Sequence, residues 1–309
     1  MSSRLAEVQM TGGIINESRH NRRLWAGSKL KLIIGLAAAV TMLAALIFSR
    51  APGGIKGHAY DIYREAAKIN IMVRTWGWET LESEHFLVRH KPGGKEGALL
   101  VLAAAEKFYF PVADEFGYSG RGKIPIIVYP SREELNASFG WPASESAMGV
   151  YWGGVIRVLS PEVWIPESEN TAAVFMDSGP MAHELTHLVV DYITKGNYTR
   201  WFTEGVAQYH EYKLTGFLFA EPGGGLGQEL YRLREMNRGF DALPNQALAY
   251  RQSLSAVEYI VEFYGEDSMH RIIRELGLGR DLNQAFRQVL GIDLAEFERE
   301  WHLWLREIN

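Results

Sequence analysis

The 309-residue sequence contains no cysteine. This absence excludes disulfide bonds, thiolate zinc sites, iron–sulfur clusters and a cysteine nucleophile. Any metal ion that the protein binds must therefore be held by carboxylates and by some of its 9 histidines. A chain without cysteine is also compatible with an oxidising compartment.

Basic residues are not in excess. The chain has 32 Lys and Arg against 37 Asp and Glu, a net charge of -5. Because nucleic-acid-binding proteins need a basic face, no nucleic-acid partner is expected. With 47% hydrophobic and 22% charged residues, the composition is that of a globular protein with one large domain or two ordinary ones.

One long apolar run lies near the N-terminus. Residues 32–48 (LIIGLAAAVTMLAALIF) are 17 residues without a charge, at the short end of the roughly 17–25 that a bilayer-spanning helix needs. The run is longer than a signal-peptide core, and Ser49-Arg50 follows it instead of a small-residue cleavage site. We predict an uncleaved transmembrane anchor in contact with the lipid bilayer. A cleaved signal peptide and a buried core helix are the alternatives.

The charges that flank this run predict its orientation. Five Lys or Arg occur in the 15 residues before it and two in the 15 after it, which favours a cytoplasmic N-terminus. When 20 residues on each side are counted, the numbers of Lys and Arg are five before the run and four after it. Residues 1–31 are then a cytoplasmic basic tail, 49–80 a juxtamembrane linker and stem, and 81–309 an extracytoplasmic domain.

In the remaining sequence, strand signals precede helix signals. Strands are predicted at 86–90 and 124–129, and a hairpin at 150–151 and 155–159, with 155–159 as an edge strand able to pair with an extended peptide. Helices are predicted at 59–73, at 96–116, after the capping pair Ser131 and Glu134, and from 178 onward. This order indicates an α+β domain with a small N-terminal sheet, associated helices and a helical C-terminal lobe.

The segment 181–190 (MAHELTHLVV) contains the pattern His-Glu-x-x-His. Histidines four residues apart lie on one face of a helix and can reach one zinc ion, while Glu184 points to the same side and can hold a water molecule. Ser178 and Pro180 mark a helix start, and the apolar residues that follow the pattern indicate a buried helix. Without a metal ion such a helix would leave buried polar groups unpaired. We predict a metal site with His183 and His187 as ligands.

A catalytic zinc site needs a third protein ligand and one open position. The segment 201–209 (WFTEGVAQY) begins a second amphipathic helix, and its Glu204 lies 17 positions after His187. That length lets the chain reverse and return to the first helix, and the apolar neighbours of Glu204 argue against a solvent-facing position. We predict Glu204 as the third ligand of one zinc ion per chain. His210 and Glu211 are expected at the surface or behind the ligands.

The paired segments AHELTH and WFTEGVAQYHE resemble the gluzincin zinc metallopeptidases, in particular the bacterial peptidase MA-like domain. The resemblance extends from about Glu82 to Trp304 and implies a zincin-like metallopeptidase fold. It implies zinc held by the two histidines and Glu204, with Glu184 as the general base. Tyr250 falls where related gluzincin aminopeptidases carry an oxyanion-stabilising tyrosine; a core or surface aromatic is the alternative.

The expected function is a membrane-anchored zinc peptidase of the bacterial inner membrane that hydrolyses protein or peptide substrates. Related aminopeptidases grip the substrate's free amine with a carboxylate on one strand, and the corresponding segment 154–158 (GVIRV) has none, which favours an endopeptidase. One alternative is a non-catalytic, zinc-stabilised scaffold or binding module of the envelope, although a scaffold does not need Glu184. Another is a zinc hydrolase of non-peptide bonds. The sequence does not predict the oligomeric state.

Overall fold

The computed structural model describes residues 53–120, 122–142, 147–219 and 223–308. The chain divides into two units, residues 1–56 and 57–309, and the fold below is that of the second. The predicted tail at 1–31 and the predicted anchor at 32–48 lie outside the described residues. Among the helices that are described, none has both the length and the apolar character that a bilayer crossing requires.

The described residues contain a five-stranded sheet. Its strands are β1 Glu79–Glu82, β2 Phe86–His90, β3 Ile124–Tyr129, β4 Gly149–Trp152 and β5 Val155–Leu159, in the spatial order β1-β2-β3-β5-β4. The three central strands β2, β3 and β5 run parallel, whereas β1 and β4 are antiparallel edge strands. Because both faces of a central parallel strand are covered, β3 and β5 are buried along their whole length.

Helices make up most of the described chain. They are α1 Gly53–Arg74, α2 Lys95–Phe116, α3 Arg132–Phe139, α4 Thr171–Ser178, α5 Met181–Thr194, α6 Arg200–Thr215, α7 Leu233–Gly239, α8 Gln246–Tyr264, α9 Glu266–Gly277, α10 Leu282–Leu290 and α11 Leu294–Ile308. Single turns of 3-10 helix lie at Pro161–Val163 and Phe240–Ala242. The protein is therefore a mixed α+β protein, mostly helical with one small sheet.

The two faces of the sheet belong to two hydrophobic cores, because side chains alternate along a strand. Ile126 and Val128 join the larger core, to which α2, α5, α6 and the C-terminal helices contribute. Ile127 and Tyr129 point the other way and pack with Ile71 of α1 and with α3. The stem helix α1 therefore covers one face of the sheet and takes part in the second core.

Helices α6 and α8 approach each other closely at Gly205. A Cβ atom at this position would collide with the backbone carbonyl oxygen of Ser253. Glycine is therefore required here by packing and not by backbone conformation. The close contact fixes α6, and with it Glu204, against the helical lobe.

Most of the predicted elements are confirmed. The strands at 86–90 and 124–129 and the hairpin form as expected, and Ser131 caps α3 by accepting a hydrogen bond from the Glu134 backbone N–H. The prediction that 155–159 is an edge strand is wrong: β5 lies between β3 and β4, so the edge beside the hairpin is β4. Strand β1 was not predicted.

Candidate active site

Two helices bring three potential ligand atoms together. His183 and His187 lie on α5, and Glu204 lies on α6. The Nε2 atoms of the two histidines are 3.0 Å apart. Oε2 of Glu204 lies 3.3 Å from Nε2 of His183 and 3.4 Å from Nε2 of His187. The three residues predicted as ligands thus converge on one point.

This spacing fits a zinc ion. Zinc–ligand bonds of about 2.0–2.2 Å in a tetrahedron separate neighbouring ligand atoms by roughly 3.3–3.6 Å. Glu204 is 1% exposed, and its Oε2 accepts no hydrogen bond. A buried carboxylate oxygen without a donor is costly unless a cation satisfies it. The donor set of two imidazoles and one carboxylate is also one that catalytic zinc sites use.

Both histidine rings are held from behind. Nδ1 of His183 lies 3.2 Å from Oε2 of Glu211, and Nδ1 of His187 lies 2.9 Å from Oγ1 of Thr203. Such contacts fix the ring orientation and keep Nε2 directed at the metal position. Glu211 therefore lies behind the ligands, as expected from the sequence.

The charges around the three residues favour a bound cation. Burial raises the pKa of Glu204, but the Arg200 guanidinium, 3.0 Å from Oε1, and the two histidines hold it well below its usual range. Burial lowers the pKa of His183, but the carboxylates of Glu211 and Glu204 raise it well above the usual value. The surrounding carboxylates therefore favour positive charge at the point where the three ligand atoms converge.

Glu184 lies next to the three converging residues but is not one of them. It is buried, and its Oε2 accepts a hydrogen bond of 2.6 Å from the backbone N–H of Tyr151 on β4. Burial raises the pKa of its carboxyl group. A Cβ at Gly149 would meet Pro180 at 2.8 Å and Cγ of Glu184 at 3.1 Å, so the edge strand runs close to the N-terminus of α5. This arrangement suits a general base and not a ligand.

Tyr250, in the first turns of α8, lies within the same electrostatic environment. Its pKa is raised by the charge of Glu204 and then by burial, while the charge of Arg200 opposes the rise. The ring packs edge-on against Phe240, with 5.3 Å between ring centroids. The structure thus places the Tyr250 side chain near Glu204 and Arg200. The raised pKa favours the neutral, protonated form of the Tyr250 hydroxyl.

A sequence model of the peptidase MA superfamily matches residues 113–307. The chain belongs to this superfamily. Two solved structures of an M1 zinc metallopeptidase from Deinococcus radiodurans, one of them a mutant, are similar to it at a TM-score of 0.35 and 15% identity. The match covers 74% of this chain and 50% of those chains, so this chain spans about half of their length. No curated protein sequence is significantly similar.

The matched region of this superfamily member contains all five predicted site residues. It begins inside α2, so α1, β1 and β2 lie outside it. The family and the site together give the chain a zinc-peptidase-like fold.

A buried carboxylate connects the active-site helix to α1. Asp191, one turn beyond His187, is 0% exposed. It accepts hydrogen bonds from the hydroxyl groups of Tyr60 at 2.6 Å, Tyr151 at 2.6 Å and Tyr198 at 3.2 Å, and pairs with Arg64 at 3.1 Å. Because the backbone N–H of Tyr151 also donates to Glu184, the Asp191 cluster helps to set the position of the candidate base.

Sequence reasoning missed Arg200, Thr203 and Asp191. Arg200 precedes Glu204 by four residues, a spacing at which helical side chains interact, and this signal was available. Thr203 and Asp191 gave no comparable signal, since their partners are identified only by the folded arrangement.

Proposed function

We propose that the chain is a membrane-anchored zinc endopeptidase. The observation that carries the proposal is that two imidazole nitrogens and one buried carboxylate oxygen, which accepts no hydrogen bond, lie within 3.0–3.4 Å of one another. A second carboxylate, Glu184, lies beside this point and is held by a backbone N–H. Membership in the peptidase MA superfamily supports the same chemistry.

The proposed mechanism divides the work among a few side chains. His183, His187 and Glu204 would hold the zinc ion, which when bound supplies a Lewis acid that polarises a carbonyl and lowers the pKa of water to about 7. Glu184 takes a proton from the attacking water and later delivers it to the departing amine. The hydrogen bond from Tyr151 keeps this carboxylate oriented while its charge changes.

The Tyr250 hydroxyl is proposed to stabilise the oxyanion that forms on the substrate carbonyl. Its raised pKa keeps the hydroxyl protonated at neutral pH, so that it can donate a hydrogen bond. Arg200 pairs with Oε1 of Glu204. The other carboxylate oxygen, Oε2, is therefore left to face the two histidines as the proposed ligand atom.

The edge strand β4 is the proposed binding surface for an extended substrate. An edge strand can add a peptide as a further strand, and β4 carries the Tyr151 backbone N–H that points at Glu184. The sequence of β4 (GVYW) has no charged side chain, and on the adjoining segment 154–158 the only one is Arg157, which donates to the Ser138 carbonyl oxygen. The lack of a carboxylate to bind a free amine supports cleavage within a chain over removal of its first residue.

The proposed location follows from the sequence outside the described residues. Residues 32–48 would anchor the protein in the bacterial inner membrane, and the basic residues before them favour a cytoplasmic N-terminus. The peptidase domain would then act on proteins or peptides outside the cytoplasm.

The test compares two isosteric substitutions in the full-length protein purified in detergent. We expect Glu184→Gln to keep zinc and to lower kcat on a protein substrate by about 10²–10⁴, with little change in KM. We expect Glu204→Gln to lose the zinc ion of this site and the activity together. Glu262→Gln, at an exposed position on α8, is the matched control and should change neither quantity.

Two outcomes would contradict the proposal. If Glu184→Gln lost zinc while Glu204→Gln kept it, the two roles would be misassigned. If the wild-type protein bound zinc but hydrolysed no protein or peptide in a broad substrate mixture, the zinc-stabilised scaffold would be the better description.

A further inference from the structure

A second group of histidine and glutamate side chains lies outside the candidate active site. It consists of His210 on α6 and of Glu266 and His270 on α9. Each residue offers one potential ligand atom, and these atoms all lie within 4.8 Å of one another. The pair on α9 has the i, i+4 spacing of the active-site histidines, and α6 again supplies the third member.

The Nε2 atoms of both imidazoles of this group are buried and make no hydrogen bond within the described part of the chain. His210 is 1% exposed, whereas His270 is partly buried and its Nε2 lies 3.6 Å from Oε1 of Glu115. Phe116 packs against both rings, with centroid distances of 4.7 Å and 5.1 Å. Since buried polar atoms are normally paired, two unpaired nitrogens in one cluster require an explanation.

The charges of the cluster leave room for a cation. Lys213 lies 2.8 Å from Oε1 of Glu266 and 3.1 Å from both carboxylate oxygens of Glu115. Two carboxylates and one ammonium give the cluster a net charge of about -1 while the histidines are neutral. Glu266 is bonded to Lys213 through one oxygen, as Glu204 is to Arg200, and a carboxylate so held retains lone pairs for a metal ion.

We propose that His210, His270 and Glu266 bind a second divalent transition-metal ion of the zinc class, which ties α6 to α9. Two imidazoles and one carboxylate suit zinc and its neighbours and not calcium or magnesium, which prefer oxygen ligands. The ion satisfies the unpaired nitrogens, while Lys213 keeps its contact with Glu115. Its role is structural, and it raises the expected stoichiometry from one zinc ion per chain to two.

The test measures zinc content of the full-length protein after removal of metal with a chelator, incubation with zinc alone and dialysis. We expect two zinc ions per wild-type chain. His183→Ala should lose one ion, and His270→Gln or Glu266→Gln should lose the other. His302→Gln is the matched control, because His302 Nε2 is also buried without a partner but belongs to neither group among the described residues; this variant should keep both ions.

Thermal unfolding separates metal binding from a folding defect. Added zinc should raise the Tm of the His183→Ala variant, because an ion that binds only the folded state stabilises it. It should not raise the Tm of the His183→Ala/His270→Gln variant. The proposal is overturned if the wild type binds a single ion that His183→Ala removes, or if His270→Gln and Glu266→Gln fold and keep two ions. Neither result would affect the proposed peptidase activity, which depends on the other site.

Discussion

The contact between α1 and the active-site helix leads to a quantitative prediction about stability. Arg64 of α1 is buried and pairs with the buried carboxylate of Asp191 on α5. Its guanidinium also lies over the Tyr192 ring, 3.7 Å from the centroid. Replacing Arg64 with Met keeps most of the side-chain volume but removes the charge. Asp191 then remains in the interior without its counter-ion.

The size of the effect follows from what remains around Asp191. Removing one partner of a buried ion pair costs about 3–5 kcal/mol. Three tyrosine hydroxyl groups still donate to the carboxylate, so the lower end, about 3 kcal/mol, applies. In a folded unit of this size each kcal/mol corresponds to roughly 2–4 °C in Tm. We therefore expect Arg64→Met to lower Tm by roughly 6–12 °C.

The measurement is thermal unfolding of the full-length protein, followed by circular dichroism at fixed zinc concentration. Arg299→Met is the matched control, because Arg299 lies at the surface and pairs with the exposed Glu296 on α11, a contact worth at most about 1 kcal/mol. Equal Tm values for the two variants would refute the reasoning. The ion pair between α1 and α5 would then contribute no measurable stability to the folded unit.

Three further predictions concern the site and its location. Glu211→Gln should weaken zinc affinity by roughly 10–100-fold in a chelator competition, because it alters the carboxylate behind His183; unchanged affinity would exclude that role. Tyr250→Phe should keep zinc and lower kcat by about 10²-fold, the usual effect of losing one oxyanion donor, and full activity would assign Tyr250 to packing alone. A reporter fused after Asn309 should be active outside the cytoplasm, and activity only inside it would reverse the predicted orientation.

The fold was predictable wherever local patterns determine the element. The segments FLVRH at 86–90 and IPIIVY at 124–129 are short and rich in aromatic and β-branched residues, so both strands are recognisable from the local sequence. The position of β5 was not, because the local sequence VIRVL does not show which strands will pair with it. In the structure Arg157 is buried against the Phe139 ring, 4.1 Å from its centroid, and donates to the Ser138 carbonyl oxygen. Helix α3 thus provides the contacts of Arg157, while pairing with β3 and β4 makes β5 a central strand.

Strand β1 could not be predicted from its local sequence either. Its sequence, ETLE, is short, polar and mostly exposed, so no periodicity marks it. It exists as a strand because it pairs with β2 in antiparallel register. The cluster around Asp191 is equally non-local, since Arg64 is 127 positions away in the sequence. Local spacing can place the ligands but not the partners that hold them.

Helix α6 shows how much a local pattern contains once its surroundings are known. Successive residues of an α-helix turn by about 100°, so Glu204 and Glu211, seven apart, lie within about 20° of each other. One faces the histidine pair as a proposed ligand, and the other bonds to His183 from behind. Measured around the helix axis from Glu204, Gly205 lies at about 100° and packs against Ser253 of α8. On the same scale His210 lies at about 240° and its ring stacks on His270 of α9. The sequence presents three distinct faces on one helix, and each becomes interpretable only when the helix packed against it is known.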